Sequence, residues 1–357
     1  VSTNIRTVGV LGGRDPRGFG GVESVVSNIA SHASSSYEFI QYCSGDETTV
    51  EESDIGTIRK YSNGFGGVRS KHVSSCRAAR DLSSRDVDLV HGHGDNVLGL
   101  AAFPPSEPYV VTFHGTTAGM YANVYGDNLV RKVLSQIRPL PERIAARQCD
   151  IAVACSEQVR DELTSYYGID REKTVVIQNG VDTDRFVPVP QSEARSRLGL
   201  DSDQEYVLWI GSDPQRKDLQ TAIQAVELME RSVKLLVVGT DGENTSNVEY
   251  LGRVPDKRMA DLYSSADVQC LSSLYEGFPL VLFESLACGT PVVASPYMPR
   301  VESGVSYVPT HDAINYAQTI ENVLTNPTGV EELRAFVVEY DWNHVAERYA
   351  DIYDQII

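Results

Sequence analysis

Strand-length apolar runs alternate with helix-period patterns along almost the whole chain, and this alternation limits the fold more than any single motif does. Such an order calls for parallel strands joined by helical crossovers, because parallel neighbours cannot be linked by tight turns. The first run, Thr7 to Leu11, leads into a glycine-rich loop, Gly12 to Gly21, and then a helical pattern in which Val22, Val25, Val26 and Ile29 share a face. Further strand-like runs fall at Phe39 to Cys43, Asp88 to His91, Tyr109 to Phe113, Ile151 to Ala154 and Thr174 to Gln178. After Phe186 the pattern stops at Val-Pro-Val-Pro-Gln-Ser-Glu, which reads as neither strand nor helix and marks a domain boundary. It then resumes with strands at Tyr206 to Ile210, Lys234 to Val238, Val268 to Leu271 and Val292 to Ala294, separated by helical segments. A chain of 357 residues also exceeds what one core usually reaches. The expectation is an α/β protein of two doubly wound, Rossmann-like domains, residues 1–187 and 200–340, followed by a helix at 342–357 with Val345, Tyr349, Ile352, Tyr353 and Ile356 on one face.

Composition removes several functions. A net charge of -18 opposes nonspecific nucleic-acid binding, which needs cations to displace counterions from phosphates. No apolar run approaches 18 residues, and the first 25 residues lack the basic-then-apolar order of a secretory signal, so the expected location is cytoplasmic. The six cysteines form no C-x-x-C pair and read as reduced core thiols.

Ligands of open α/β sheets bind at the carboxyl ends of strands, and two such domains facing each other would enclose a cleft. The stretch Glu276-Gly-Phe-Pro-Leu-Val-Leu-Phe-Glu284 lies just past one strand end, Leu271. Pro279 suits a first helical position, leaving the amides of Leu280 and Val281 and the helix dipole to form an anion site. Glu284, one turn further on, suits a pair of ribose hydroxyls, and Glu276 lies in the loop above. On spacing alone, a solvated loop acid and a helix-surface acid serve as well. Arg216 and Lys217 follow the strand that ends at Gly211, either as a solvated pair or as cations for a departing diphosphate. His114 follows the strand Val110 to Phe113, where a lone histidine is usually structural. Gly20-Gly21-Val22-Glu23 is either a turn or a set of amides before a helix. Gly12, Gly13 and Gly18 do not give G-x-G-x-x-G, which disfavours a dehydrogenase. His91 and His93 with His114 would make a three-histidine metal site, and Asp86-Val-Asp88 a D-x-D metal motif, as minor alternatives. Residues 129–147 hold five cations against one acid, either as a core-packed helix with a solvated basic face or as a dock for an anionic membrane.

Taken together, Gly20 to Glu23, Val111 to Gly115, Ser156-Glu157, Asn179 to Asp182 with Phe186, Arg216-Lys217, Ala266-Asp267, Glu276 to Glu284 and Ala287 to Val293 resemble the retaining glycosyltransferases of the GT-B fold, family 4, over nearly the whole length. The resemblance implies a metal-independent hexosyltransferase with no cofactor, using a UDP- or GDP-linked sugar as donor and a glycan, lipid-linked or small-molecule hydroxyl as acceptor. It implies catalytic roles for His114, Glu276, Lys217 and Arg216. Donor binding is implied for Gly21, Ser212, Arg253, Val254, Phe278, Pro279, Leu280, Val281 and Glu284, and an acceptor-side position for Gly20, Glu23 and His93. It also implies that the helix at 342–357 crosses back to the first domain. The chain departs from the family pattern at Ser212, where an arginine is common, and at Pro299-Arg300, where proline is commonly followed by glutamate. A nucleotide-sugar epimerase, a phosphorylase-like enzyme and a noncatalytic sugar-nucleotide binder fit the same pattern.

Overall fold

The structure, a computed structural model, describes all residues except 1–4, 19, 34–35, 63–67, 95–96, 126–128, 299–300 and 302, so the expectation at Pro299-Arg300 lies outside the described residues. The chain forms two units, Val1–Gly180 with Trp342–Ile357, and Val181–Asp341. No described helix is long and apolar enough to cross a membrane.

The first unit is built on strands β1 (Arg6–Leu11), β2 (Tyr37–Gly45), β3 (Thr49–Ser53), β4 (Gly56–Ser62), β5 (Leu89–His93), β6 (Tyr109–Phe113), β7 (Ile151–Ala154) and β8 (Thr174–Val176). They form one sheet in the order β3-β4-β2-β1-β5-β6-β7-β8. Every described pairing is parallel except β3 with β4. β5, β6 and β7 are buried along their whole length, which is why β6 and β7 read as nearly continuous apolar runs, whereas β5 buries two histidines. Because β1 borders both β2 and β5, strand order reverses between β1 and β5, and the loops leaving them part at the carboxyl edge. The helix Trp342–Ile356 belongs to this unit, with Tyr349 and Tyr353 fully buried. The Tyr37 hydroxyl donates to Asp354 at 2.7 Å, and Arg6 pairs with the same carboxylate.

The second unit carries β9 (Glu205–Ile210), β10 (Val233–Val238), β11 (Val248–Gly252), β12 (Val268–Leu271), β13 (Val292–Ala294) and β14 (Val305–Tyr307), all parallel, in the order β11-β10-β9-β12-β13-β14. Here the reversal falls between β9 and β12. Gly239, with φ +90°, follows β10, and a Cβ there would come within 3.0 Å of the Gly211 carbonyl oxygen.

Two expectations change. The division falls between Gly180 and Val181 rather than after Phe186. Val181 donates to the Tyr340 carbonyl at 2.7 Å, Arg334 donates to the carbonyls of Thr183 and Phe186, and the Phe186 ring meets Tyr263 edge-on. The proline-bearing stretch therefore lies inside the second unit, and its end is helical, since Gln191–Leu198 forms a helix behind Pro190. All six cysteines are free; five are buried and Cys76 is half-buried.

Candidate functional site

At the strand-order reversal of the second unit, the loops after β9 and β12 are neighbours, because those strands pair directly. The first loop brings Arg216 and Lys217, the second Glu276. The Arg216 guanidinium, the Lys217 ammonium and the Ser273 hydroxyl all meet one Glu276 oxygen, Oε1, at 2.9, 3.1 and 3.0 Å. Only 12% of the Glu276 and Lys217 side chains is exposed, so these charges are little screened. Burial alone would push the Glu276 carboxyl up, but Lys217 and then Arg216 outweigh it and hold the group below the usual carboxylate range.

Local backbone fixes the lysine. Asp218 adopts φ +45°, outside the region that side-chain-bearing residues favour, and its carboxylate accepts from Thr221 at 2.7 Å. The Ser272 hydroxyl meets the carbonyls of Lys217 and Asp218 at 3.0 and 2.9 Å, and the Trp209 indole N–H donates to the Lys217 carbonyl at 3.3 Å. Gly211 makes room for the lysine stem: a Cβ there would lie 2.3 Å from Lys217 Cδ.

The helix Leu280–Ala287 starts beside this cluster. Pro279 is its N-cap, with extended backbone, one position earlier than the sequence reading placed it. Its carbonyl accepts the Leu282 N–H at 3.0 Å, and no side chain caps the helix, so the amides of Leu280 and Val281 form its positive end. Glu284 is half-buried and accepts a hydrogen bond from the Tyr263 hydroxyl at 2.5 Å. Burial pushes its carboxyl up, with the Tyr263 bond acting against the shift. Phe278 is 7% exposed and stacks on Phe283 at 4.5 Å, so its ring secures the loop to the helix instead of facing solvent. Ser212 and Arg253 are exposed, and Val254 is half-buried, after the ends of β9 and β11.

In the first unit, the exposed Gly20 and Gly21 lead into the helix Gly21–Ala33. The Glu23 carboxylate folds back over Gly20, where a Cβ would come within 2.0 Å of its Oε2. This loop is tied to the sheet edge by a ring of alternating charge that sequence reading did not find. Arg17 pairs with Asp15 and Glu51 at 2.8 and 2.7 Å, and Lys60 with the same acids at 2.9 and 3.0 Å. Hydrogen bonds from Arg17 above all hold Asp15 well below the usual carboxylate range.

His114 follows β6, and its Nε2 lies 3.0 Å from Nδ1 of His93. His93 is only 1% exposed, which puts its side chain beneath His114 and not at an acceptor-facing surface. His91 has both ring nitrogens engaged, Nδ1 with the Tyr353 hydroxyl at 2.6 Å and Nε2 with Thr112 at 2.7 Å, and is not available as a metal ligand. Among the described residues no group of three or more His, Cys, Asp or Glu is placed to hold a metal ion. Asp88 accepts the Thr7 N–H at 2.7 Å at the amino ends of β1 and β5, away from the edge where ligands bind.

Two mostly parallel Rossmann-like units define the GT-B class of glycosyltransferase folds. Sucrose-phosphate synthase from Thermosynechococcus elongatus is similar to the chain with a TM-score of 0.83 at 21% identity, covering 98% of both chains. The Anabaena HepE protein, solved in complex with UDP-glucose, is similar with a TM-score of 0.77 at 18% identity, covering 98% of this chain and 99% of its own. Residues 19–185 match the model of Glycosyltransferase Family 4 and residues 204–326 that of Glycosyl transferases group 1, and the chain belongs to this family of glycosyltransferases. A D-inositol 3-phosphate glycosyltransferase of Xylanimonas cellulosilytica is 30% identical over 314 residues, 78% of this chain and 74% of that protein.

Proposed function

We propose that this glycosyltransferase transfers a hexosyl group from a nucleotide sugar held by the second unit to an acceptor hydroxyl, with retention of anomeric configuration. The observation that carries the reading is the Arg216–Lys217–Glu276 cluster beside the uncapped start of the helix Leu280–Ala287, with Glu284 one turn inside. A departing nucleoside diphosphate gains negative charge, and two cations with helix-start amides are suited to stabilise it without a metal. Glu276 keeps the cations paired before the donor binds and offers Oε2, which takes none of the three bonds above, to a sugar hydroxyl. In front-face displacement the bond from the anomeric carbon to the phosphate oxygen breaks, the acceptor oxygen bonds on the same face, and its proton passes to the departing phosphate. His114 is assigned to the developing positive charge at the anomeric carbon, and Gly20 and Glu23 to the acceptor. Ser212, Arg253 and Val254 are assigned to the nucleotide.

The similarity to a protein solved with UDP-glucose favours UDP as the carrier. Thermal unfolding with UDP, GDP or ADP tests this, since a ligand of the native state raises Tm. UDP is expected to give the largest rise; a larger rise with GDP would change the donor, and no rise with any of the three would remove the donor reading. Turnover of the donor is expected to persist in EDTA.

A lipid-linked acceptor at a membrane is a second reading, favoured by the helices Leu129–Ile137 and Leu140–Gln148. Val133 and Ile137 on the first helix are 51 and 55% exposed and Leu140 and Ile144 on the second 42 and 41%, each pair four residues apart and so on one face of its own helix. This differs from a core-packed helix, which would bury Val133 and Ile137; the side chains of Leu129, Val130 and Lys132 lie outside those described. Arg138 is exposed within the same stretch, while Glu142, the one acid between 129 and 148, turns inward to accept from Thr117 and Tyr167. Exposed aliphatic side chains among local cations complement an anionic lipid surface, although the chain as a whole is acidic. Co-sedimentation with vesicles containing phosphatidylglycerol is expected, and Ile137→Ser with Ile144→Ser should abolish it. Equal binding to neutral phosphatidylcholine vesicles, or none to either, would overturn the reading.

A further inference from the structure

Two histidines inside one short strand are an expensive way to fill a core, because each imidazole loses its hydration unless its nitrogens find partners. In β5 those partners form a chain. Tyr353 and Thr112 take the two nitrogens of His91, and the Tyr349 hydroxyl lies 3.2 Å from the same Thr112 oxygen. The His91 ring lies against His93, centroids 4.1 Å apart, and His93 Nδ1 reaches His114 Nε2. The His93 and His114 rings are within 9° of parallel. One continuous series therefore runs from the C-terminal helix to His114.

We propose that His93 is the positioning residue for His114. Burial keeps His93 neutral, and a neutral imidazole has one N–H and one lone pair. In the shared bond one ring donates and the other accepts, so the tautomer of His93 sets whether Nε2 of His114 carries a proton. The bond also pins the His114 ring in the plane of His93, with Nε2 turned toward the strand and Nδ1 on the other side of the ring. Tyr353 and Thr112 hold His91 in place against the His93 ring, so the C-terminal helix contributes through His91 and His93 to the orientation of His114. This inference rests on the role assigned to His114 above.

The test compares His93→Asn with His93→Gln. Asparagine sets a polar atom near the place of Nδ1, and glutamine near that of Nε2. His93→Asn should keep kcat within about threefold of the parent while His93→Gln loses about tenfold or more, with donor KM unchanged in both, since misorienting a group near the reacting centre acts on the transition state. Equal kcat values for the two variants, or a loss seen in KM and not in kcat, would overturn the proposal. Tyr353→Phe removes one bond to His91 and should lower kcat less than His93→Gln does; a larger loss would also overturn it. His114→Ala is measured alongside. Full activity there would remove the role of His114 itself, whereas a dead His114→Ala with an intact His93→Gln would remove only the positioning role.

Discussion

Replacing Glu276 by glutamine should lower kcat about a hundredfold without weakening UDP binding. Glutamine keeps the size of the side chain and an oxygen for Ser273, but it removes the charge that Lys217 and Arg216 share at Oε1. Lys217 is then left without its carboxylate and Arg216 with the exposed Asp213 at 3.7 Å, so the two cations attract an added diphosphate at least as strongly as before and affinity for UDP should hold or rise. The sugar loses its carboxylate contact, and that loss appears in turnover. Glu276→Ala should behave alike in kcat and unfold at a lower temperature, because it also leaves the Ser273 hydroxyl and a largely buried lysine without a partner. Because the native carboxyl titrates below the usual range, its contribution to stability is complete above the ordinary carboxylate pKa and is lost only as pH falls through the lower native value. Steady-state kinetics with isothermal titration of UDP would decide it. Parent-like kcat in Glu276→Gln, or a loss of UDP affinity that accounts for the whole effect, would sink the assignment.

Why this cluster was only half legible follows from how it forms. Arg216 and Lys217 were found because they follow a strand end, and Glu276 because it opens a motif of two acids, yet nothing local ties the first pair to the third residue. Their meeting depends on β9 and β12 lying side by side, a pairing set by the crossover after β11 and visible only in the sheet order. The parallel strands themselves were readable, since β6 and β7 are buried along their whole length and are almost wholly apolar, while β5 opens on Leu89 and Val90 before its two histidines. The β3–β4 hairpin was not, because an edge strand such as Thr-Val-Glu-Glu-Ser is half exposed and carries little apolar signal. With it the charge ring around Asp15 and Lys60 was missed. The acceptor-side position that the resemblance implies for His93 says nothing of its burial, which depends on the His91 and His114 rings packed against it, and His91 in turn on a tyrosine more than two hundred residues later in the chain. Pro279 differs by one position, which is within the ordinary scatter of helix boundaries and leaves Leu280 and Val281 as the first two residues of the helix.

Glu284 should govern donor affinity, and its pH dependence distinguishes this from a structural role. A carboxylate accepting two ribose hydroxyls makes charge-assisted hydrogen bonds, so Glu284→Gln should raise donor KM about tenfold or more, with each factor of ten corresponding to about 1.4 kcal/mol, while kcat changes little. Burial raises the native pKa of Glu284 above the ordinary carboxylate value. The sign follows: as pH falls, Glu284 takes up its proton earlier than a solvent-exposed glutamate, so donor KM should climb on the acid side at a pH where other carboxylates are still ionised. The same shift makes the unpaired site a stability cost that is absent at low pH and complete above the raised pKa. Tyr263 provides the control. Its hydroxyl, held protonated by burial, donates to Glu284 and pulls that pKa back down. Tyr263→Phe should therefore move the acid rise in KM to higher pH, and Glu284→Gln should abolish the rise altogether. A donor KM in Glu284→Gln equal to that of the parent, or an acid rise that survives in it, would assign Glu284 to the fold of its helix and leave ribose recognition to other groups at the carboxyl ends of β9 and β11.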